Sequence, residues 1–328
     1  MRKYIIRRLL GVIPVMLGVV IIVYTITYHM PGSPPIPRRR VVELGLDKPY
    51  IIQLGNYLWN LITRLDLGKS YLSHYPITKD LLVRIPVTFK LSLTSIFLMI
   101  AIGLPCGMLS ALKQYSVLDI SLTSISLILA AIPSFILALL SAVFFGVMLR
   151  WLPVTGLATW KSWILPVLCS ALGGIATYVR MTRTAMLEVI RQDYIRTARA
   201  KGLKESRIIS RHALRNCLIP LTTVVGLSAA TILSGSIIVE TIFNISGMGM
   251  YLMEGILARD YPVINGSVVV ISLLICVVNL LVDIAYAFID PRVEAQFSAT
   301  RSLTWIGIGD TMCTALNKSK KKMRERKL

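Results

Sequence analysis

Residues 180–215 read RMTRTAMLEVIRQDYIRTARAKGLKESRIISRHALR, a strongly basic segment between two uncharged apolar runs. Charged side chains are costly inside a bilayer, so this segment is poorly suited to crossing lipid. Its length and its helix-forming residues suit it to being held by a partner protein at the cytoplasmic face. The segment therefore indicates a membrane protein that is driven from outside its own chain.

The remaining sequence predicts a polytopic membrane protein. Its 328 residues are 55% hydrophobic and have a mean hydropathy of +0.69. A spanning helix needs about 20 mostly apolar residues. Charge-free runs of that kind cover 9–37, 91–112, 120–149, 162–179, 216–239 and 261–282. They are continuously apolar, which predicts an all-α fold with six transmembrane helices rather than a barrel. The run 120–149 must tilt, kink at Pro133 or project beyond the lipid.

The 36 Lys and Arg residues predict cytoplasmic N- and C-termini, because roughly two thirds of them then lie inside. The net charge of +20 is then mostly cytoplasmic, so nucleic acid is not expected as a partner. The N-terminus resembles a signal peptide, but its apolar stretch is too long and no cleavage site follows, which predicts a retained helix. The five cysteines form no CxxC, so neither disulfides nor a metal site is expected.

The predicted spans divide the chain into four segments. A transmembrane helix covers 1–31, and an extracytoplasmic loop covers 32–88. A five-helix transmembrane domain covers 89–289, with its cytoplasmic loop at about 184–215, and a basic cytoplasmic tail covers 290–328. In the first loop, apolar and aromatic residues from Tyr50 to Leu61 recur at helical spacing, which predicts a short amphipathic helix on the outer membrane face.

After the fifth run, residues 241–253 are apolar but too short to cross the membrane, and they contain Gly247 and Gly249. This pattern predicts a re-entrant or outer-face helix and turn above the pathway. In the fifth run the residues are small, which favours close helix packing and leaves room for a pathway. Packing explains most of this stripe, and the candidates for lining a pathway are Gly226, Ser228, Ser234, Gly235 and Ser236.

No residue set for catalysis is found. The three histidines, His29, His74 and His212, have no ligand spacing, and neither GxSxG nor GxxxxGK[ST] occurs, so the chain is not expected to be an enzyme. Asp283 is the one carboxylate well inside a predicted span. An intramembrane acid can carry protons, which leaves a proton-coupled secondary transporter as the alternative. A structural role is favoured, because Asp283 lies near the inner end of its helix.

Gly202 divides the basic segment into two helix-forming parts, 184–201 and 204–215. These parts predict two short helices that present apolar residues, Ala198 among them, to a partner. A loop that merely follows the positive-inside rule is the alternative, but it needs neither this length nor this apolar content.

DYIRTARAKGL and HALRN resemble the cytoplasmic signature of the permease subunits of type I ABC importers, in the oligopeptide/dipeptide/nickel branch. The general pattern has Glu-Ala-Ala, then Gly, then Ile-x-Leu-Pro. This chain differs at Arg196 and Thr197 and has Pro220 later, a form associated with the peptide and nickel branch. The stretches LDKPYIIQ, IPVTFKLSL, AIPSF, LPVTG, VETIFNISGMG and NLLVDIAYAFIDPRV agree, so the resemblance covers about 1–293. The first loop is shorter and the basic tail longer than the family pattern.

The resemblance implies a type I ABC importer permease fold in the cell (inner or plasma) membrane. It implies a heterodimer with a paralogous permease subunit, two ABC ATPase subunits and an extracytoplasmic solute-binding protein. ATP and magnesium are then bound by the ATPases, so no cofactor is expected in this chain. The solute is a peptide or a related small solute, such as a nickel chelate. The residues implied for ATPase coupling are Tyr194, Arg196, Thr197, Ala198, Lys201, Gly202, Leu203 and His212. Those implied for contact with the binding protein are Glu240, Gly247, Gly249 and Asp260.

Overall fold

The computed structural model describes residues 2–30, 37, 41 and 45–289. In these ranges the regular structure is helical and contains no strand, which confirms the all-α prediction. The basic tail over 290–328, most of 31–44 and the side chain of Asp283 lie outside the described residues. The helices are α1 (Arg2–Tyr28), α2 (Tyr50–Arg64), α3 (Ile77–Leu112), α4 (Val117–Ala131), α5 (Ser134–Met148), α6 (Trp160–Ile190), α7 (Asp193–Ala200), α8 (Glu205–Ile242), α9 (Met248–Ala258) and α10 (Tyr261–Ile289).

Five of the described helices are long and apolar enough to span a membrane: α1, α3, α6, α8 and α10. The pair α4 and α5 makes a sixth if it is counted as one broken span, because the two helices meet at 96°. The bend lies at Pro133, and Ile132 before it is extended, with φ −88° and ψ 122°. A proline lacks an amide donor and disfavours the helical region for the preceding residue, so the third run kinks rather than tilts.

The helices on both sides of the cytoplasmic loop are longer than the apolar runs that predict them. α6 continues to Ile190, and α8 is continuous from Glu205 to Ile242, with a π-helical segment over Ile208–Ala213. The prediction of two separate short helices over 184–201 and 204–215 is therefore wrong. Hydropathy reports the part of a helix that lies in lipid, whereas the backbone hydrogen bonds continue beyond it. Of the loop, α7 alone forms a separate short helix.

The most intimate packing joins α3 to α6 through glycines. A Cβ atom added at Gly107 would lie 2.5 Å from the Cβ atom of Thr182, and one added at Gly103 would lie 3.0 Å from the Cβ atom of Tyr178. Such close approach is typical of helix pairs in lipid, where small residues let two backbones meet. Because α3 presents no side chain at these two glycines, the side chains of α6 pack directly against its backbone.

The outer part of the chain is held by polar contacts between distant segments. Thr27 of α1 donates to the carboxamide oxygen of Asn265 in α10 at 3.0 Å, and the Thr25 and Tyr50 hydroxyls lie 2.7 Å apart. α2 lies in the segment where the amphipathic helix is predicted, and its Gln53 is buried while Trp59 is exposed. α1 and α2 thus form an outer appendage beside α10.

Candidate coupling surface and solute pathway

Helix α7 rests on the bundle through its apolar face. α6 ends at Ile190, and the extended residue Gln192 precedes α7. Ile195 and Ala198 are buried in the cluster that also contains Met186 and Ile208. Residues 195 and 198 are three apart, so they share one face of the helix. Ala198 therefore packs α7 against its own chain, and its part in ATPase coupling stays a prediction.

The opposite face of α7 is polar and exposed. Tyr194 is 42% exposed, and Arg196 and Thr197 lie beside it on the surface. The Tyr194 hydroxyl accepts a hydrogen bond of 2.8 Å from the carboxamide of Asn216 in α8. Since this bond fixes the ring, the exposed face has a defined shape that another protein can recognise.

A left-handed turn ends α7. Lys201 is exposed, Gly202 has φ +73°, and the Gly202 amide donates to the Arg199 carbonyl at 2.9 Å. No atom lies within 4 Å of a Cβ atom built at Gly202, so the backbone conformation rather than space requires glycine. The Arg199 guanidinium bonds Glu205 across the turn at 3.1 Å, and this bond raises the pKa of Arg199.

The remaining predicted coupling residues are less exposed to solvent. Leu203 is half-buried against the core cluster beneath α7. His212 is half-buried in the π-helical part of α8, and its carbonyl accepts from Asn216 at 3.3 Å. The structure therefore brings Tyr194, Arg196, Thr197, Lys201 and Gly202 to the surface around α7. We call these five residues the α7 surface.

At the other end of the bundle, Glu240 is fully buried near the end of α8. Its carboxylate accepts from the Thr88 hydroxyl of α3 at 2.6 Å and from the Gly249 amide of α9 at 2.7 Å. Thr88 in turn accepts from the Met248 amide at 2.9 Å. An anion at a helix N-terminus satisfies free amides and the helix dipole, so Glu240 caps α9 from a neighbouring helix.

Gly247 and Gly249 make this cap possible. A Cβ atom at Gly249 would lie 2.4 Å from the Ile237 Cα atom, and one at Gly247 would meet the Glu240 carboxylate. Asp260, also buried, accepts from the Ser70 hydroxyl at 2.6 Å. Glu240, Gly247, Gly249 and Asp260 are all buried in this structure, and their contact with the binding protein stays a prediction. They position the outer elements.

The predicted pathway residues divide between two faces of α8. A Cβ atom at Gly226 would lie 2.6 Å from the Val282 side chain, and Ser236 is 1% exposed, so these two residues serve packing within the chain. Ser234 is exposed, whereas Ser228 and Gly235 are half-buried. The exposed stripe of α8 continues at three- and four-residue spacing, and it consists of Thr223, Leu227, Thr231, Ser234 and Ile238.

Two polar contacts were missed from the sequence. Thr88 lies 152 positions from Glu240, and Asp119 forms an ion pair with Arg183, 64 positions away. Separations of this size leave no local pattern. The detectable signal is weaker: each acid stands alone at the edge of an apolar run, where a charge needs a partner.

Comparison with known sequences agrees with this arrangement. Residues 103–295 match the family described as "Binding-protein-dependent transport system inner membrane component". A putative peptide transport system permease protein of Brucella suis biovar 1 is 40% identical over 313 residues, with 90% of this chain and 99% of the relative covered. The dipeptide transport system permease protein of Bacillus subtilis is 39% identical over 307 residues, with 90% and 98% covered. The glutathione transport system permease protein of Pectobacterium atrosepticum is 38% identical over 305 residues, with 90% and 99% covered.

The fold is similar to that of a chain of the MetNI methionine ABC transporter in an inward-facing conformation. The TM-score is 0.56 at 21% identity, with 64% of this chain and 96% of that chain covered. Nothing in these comparisons supports the proton-coupled alternative, and ATP hydrolysis belongs to separate subunits in this family. The chain therefore belongs to the binding-protein-dependent transport family and is a multi-pass, non-catalytic permease subunit of an ABC importer in the plasma membrane, working with ATPase subunits and a binding protein.

Proposed function

We propose that this chain forms half of the translocation pathway for peptides or related small solutes, together with a paralogous permease subunit. The substrate class is supported by the relatives, which are named as permeases for peptides, dipeptides and glutathione. A nickel chelate of similar size remains within the proposed class. The free solute itself is selected by the external binding protein, so the permease needs a pathway that tolerates its shape.

The exposed stripe of α8 supports the paralogous partner. Thr223, Thr231 and Ser234 are polar, yet they lie on a spanning helix and face out of the chain. The Thr231 and Ser234 hydroxyls bond carbonyls one turn earlier, at 2.9 and 2.7 Å, which leaves their oxygens free to accept. A second permease subunit facing this stripe would enclose a polar pathway. Lipid tails, in contrast, cannot form hydrogen bonds with these hydroxyls.

The observation that carries the proposal is the α7 surface, a fixed and exposed polar face on a short helix beside the bundle. We assign it to a cleft of one ATPase subunit. When the ATPases close on ATP, α7 is displaced and the bundle changes from an inward-facing to an outward-facing packing. Inverting such an equilibrium from 1:99 to 99:1 takes about 5.5 kcal/mol of differential binding, which a large protein interface can supply. We also propose that both termini are cytoplasmic, as the distribution of Lys and Arg predicts.

Reconstituted uptake tests this proposal. The permease pair, both ATPases and the binding protein are placed in proteoliposomes with labelled di- and oligopeptides, and a nickel chelate is tested as a competitor. We expect peptide uptake that requires ATP and the binding protein. Formation of a complete complex that imports none of these solutes would contradict the substrate class. Failure of this chain to bind any ATPase pair would contradict the role of the α7 surface.

A further inference from the structure

An ion pair with a buried carboxylate joins three helices at the turn between α3 and α4. Asp119, in the first turn of α4, is 3% exposed. Its two carboxylate oxygens accept from Nε and Nη2 of Arg183 in α6 at 2.7 and 2.8 Å. The Ser110 hydroxyl of α3 donates to the same carboxylate at 2.5 Å, and the Tyr115 amide donates at 3.0 Å. A two-point Arg–carboxylate contact of this kind fixes orientation as well as distance.

The local structure of α4 does not require this ion pair. The N-terminus of α4 is already capped by the Ser116 hydroxyl, which accepts from the Asp119 amide at 3.3 Å. The Asp119 carboxylate must also lose its water, while Arg183 stays partly exposed, so such a pair is weak evidence for added stability. It is better evidence for a geometry that has to be kept.

α4 packs along α6 and the end of α3, but it buries few of its side chains. The structure describes all of Val117–Ala131, and in this helix Asp119 and Ser126 are its buried residues. Large side chains along the rest of it, such as Ile120 and Ile128, are exposed. α4 then ends at the 96° bend before α5. Asp119 is therefore the most deeply buried of the side chains through which α4 meets the bundle, and it adds a directed contact to the apolar packing against α6.

Arg183 stands on the helix that leads to the α7 surface. α6 continues from Arg183 to Ile190, directly before α7. Just outward of Arg183, Gly107 of α3 contacts Thr182 so closely that α3 and α6 cannot slide past each other. A displacement of α7 is thus passed to α6 and α3 together, and Asp119 is the point at which a charged contact ties α4 to both.

We propose that Asp119 and Arg183 are positioning residues of the transport cycle, because their ion pair makes α4 follow α6 when α7 is displaced. This inference rests on the proposed role of the α7 surface. Without the ion pair, α6 would move while α4 and the attached α5 lag behind. ATP would then be hydrolysed without a complete change of the bundle.

The first experiment measures the movement directly. Spin labels are attached to cysteines placed at Ile125 of α4 and Trp160 of α6, both exposed, in the complete importer with its native cysteines replaced. Electron–electron distances are recorded without nucleotide and with ATP trapped on inactive ATPases. We expect the same distance in both states, and in Asp119→Asn a distance that shifts or broadens with ATP. A distance that changes with ATP in the parent protein, or that stays constant in Asp119→Asn, would overturn the proposal.

The second experiment measures coupling. In Asp119→Asn we expect the solute imported per ATP hydrolysed to fall at least about fivefold, the lower range of allosteric coupling. Thr123→Val is the matched control, since Thr123 reaches Asp119 only at 3.4 Å and bears no charge. The charge exchange Asp119→Arg with Arg183→Asp should restore part of the solute imported per ATP hydrolysed. If this double variant does not fold, the single variant Arg183→Gln must show the same fall as Asp119→Asn.

A purely structural role predicts a different result. Uptake and ATP hydrolysis would then fall together with the amount of assembled complex, at an unchanged ratio, and that outcome would overturn the inference. The proposed role of α7 is tested separately by Gly202→Val. If Gly202→Val abolishes uptake while Asp119→Asn keeps the ratio, the positioning role alone is wrong. If Gly202→Val has no effect, the role of α7 is wrong.

Discussion

The buried carboxylate of Glu240 shows how one side chain can organise the outer end of a membrane bundle. It accepts from a hydroxyl of α3 and from the first amides of α9 while standing on α8, so three helices share one anion. The Gly-x-Gly sequence at 247–249 is explained by the same contact, because side chains there would occupy the space of the carboxylate and of Ile237.

Replacing Glu240 with Gln is expected to destabilise the outer end of the chain. The carboxamide keeps the size but turns one acceptor into a donor, which then faces either the Thr88 hydroxyl or the Gly249 amide. An unmatched buried polar group costs about 2 kcal/mol, so the melting temperature of the purified complex should fall. Glu254→Gln, at an exposed position of α9, is the matched control. Equal melting temperatures for the two variants would contradict the capping role.

Gly202→Val is expected to abolish uptake while leaving membrane insertion intact. A non-glycine residue at φ +73° pays about 1–2 kcal/mol, and valine, which is branched at Cβ, fits this region poorly. The turn would open and displace the α7 surface. Gly156→Val is the control, since Gly156 has φ +72° and equally open surroundings but lies outside the cytoplasmic loop. Uptake and membrane content are measured for both. Near-normal uptake by Gly202→Val would contradict the role of this turn.

Ala198→Asp tests whether the buried face of α7 holds this helix on the bundle, and does not test its exposed surface. Ala198 is 8% exposed against the core cluster, so a carboxylate there would be buried without a partner. We expect α7 to detach from the bundle and uptake to be lost, with the chain still inserted. Thr197→Asp, one position along on the exposed face, should leave α7 protected from limited proteolysis. Equal protease sensitivity in the two variants would show that Ala198 does not hold the helix.

Among the elements, α8 has two faces with different tasks. Gly226 and Ser236 face the chain, while Ser234 and Thr231 face outward. Ser234→Trp should reduce uptake to near background, because the larger side chain would fill the proposed pathway without disturbing the packing of α8 in this chain. Ile22→Trp, at an exposed position of α1, should be tolerated. Uptake and co-purification of the ATPases are measured. Normal uptake with Trp at 234 would place the pathway elsewhere.

The helices also show how far the sequence predicts the fold. Apolar runs predict the spans because lipid imposes one length and one polarity on them. They do not predict where α6 ends, since a helix continues past the lipid while its hydrogen bonds continue. From the sequence, the run 120–149 could tilt, kink at Pro133 or project beyond the lipid, and in the structure it kinks. The direction in which Ala198 points could not be read from its spacing, because the start of α7 at Asp193 is needed to fix the face.

Across the whole molecule, polar contacts between distant residues hold positions that apolar packing leaves free. Asp119, Glu240 and Asp260 each bond groups on another helix or loop. The motif around Gly202 could be recognised from sequence, because its residues are contiguous, and its coupling role stays a prediction. The partners of these three acids could not be predicted, since their positions depend on how the helices assemble.

The source of energy is a property of the whole complex. In proteoliposomes, uptake should stop when ATP or the ATPase subunits are omitted and should persist when an ionophore collapses the proton gradient. In the proposed mechanism, ATP bound by the ATPases supplies the energy and the α7 surface transmits it. Both lie outside the membrane-spanning helices, so a proton gradient is not needed. Uptake that continued without ATP and ceased with the ionophore would require a different mechanism.

α1 buries little of its surface against the rest of the chain: 6% of its most apolar stretch is buried, and its main partners are α2 and α10. The structural match to the MetNI chain covers 96% of that chain but 64% of this one. The shared architecture therefore needs fewer residues than this chain has. A polypeptide cut between Met30 and Gly45 and co-expressed as two fragments should then reassemble into a working permease. The first helix is thus a separable element, and the remaining helices need no covalent link to it in order to fold and function.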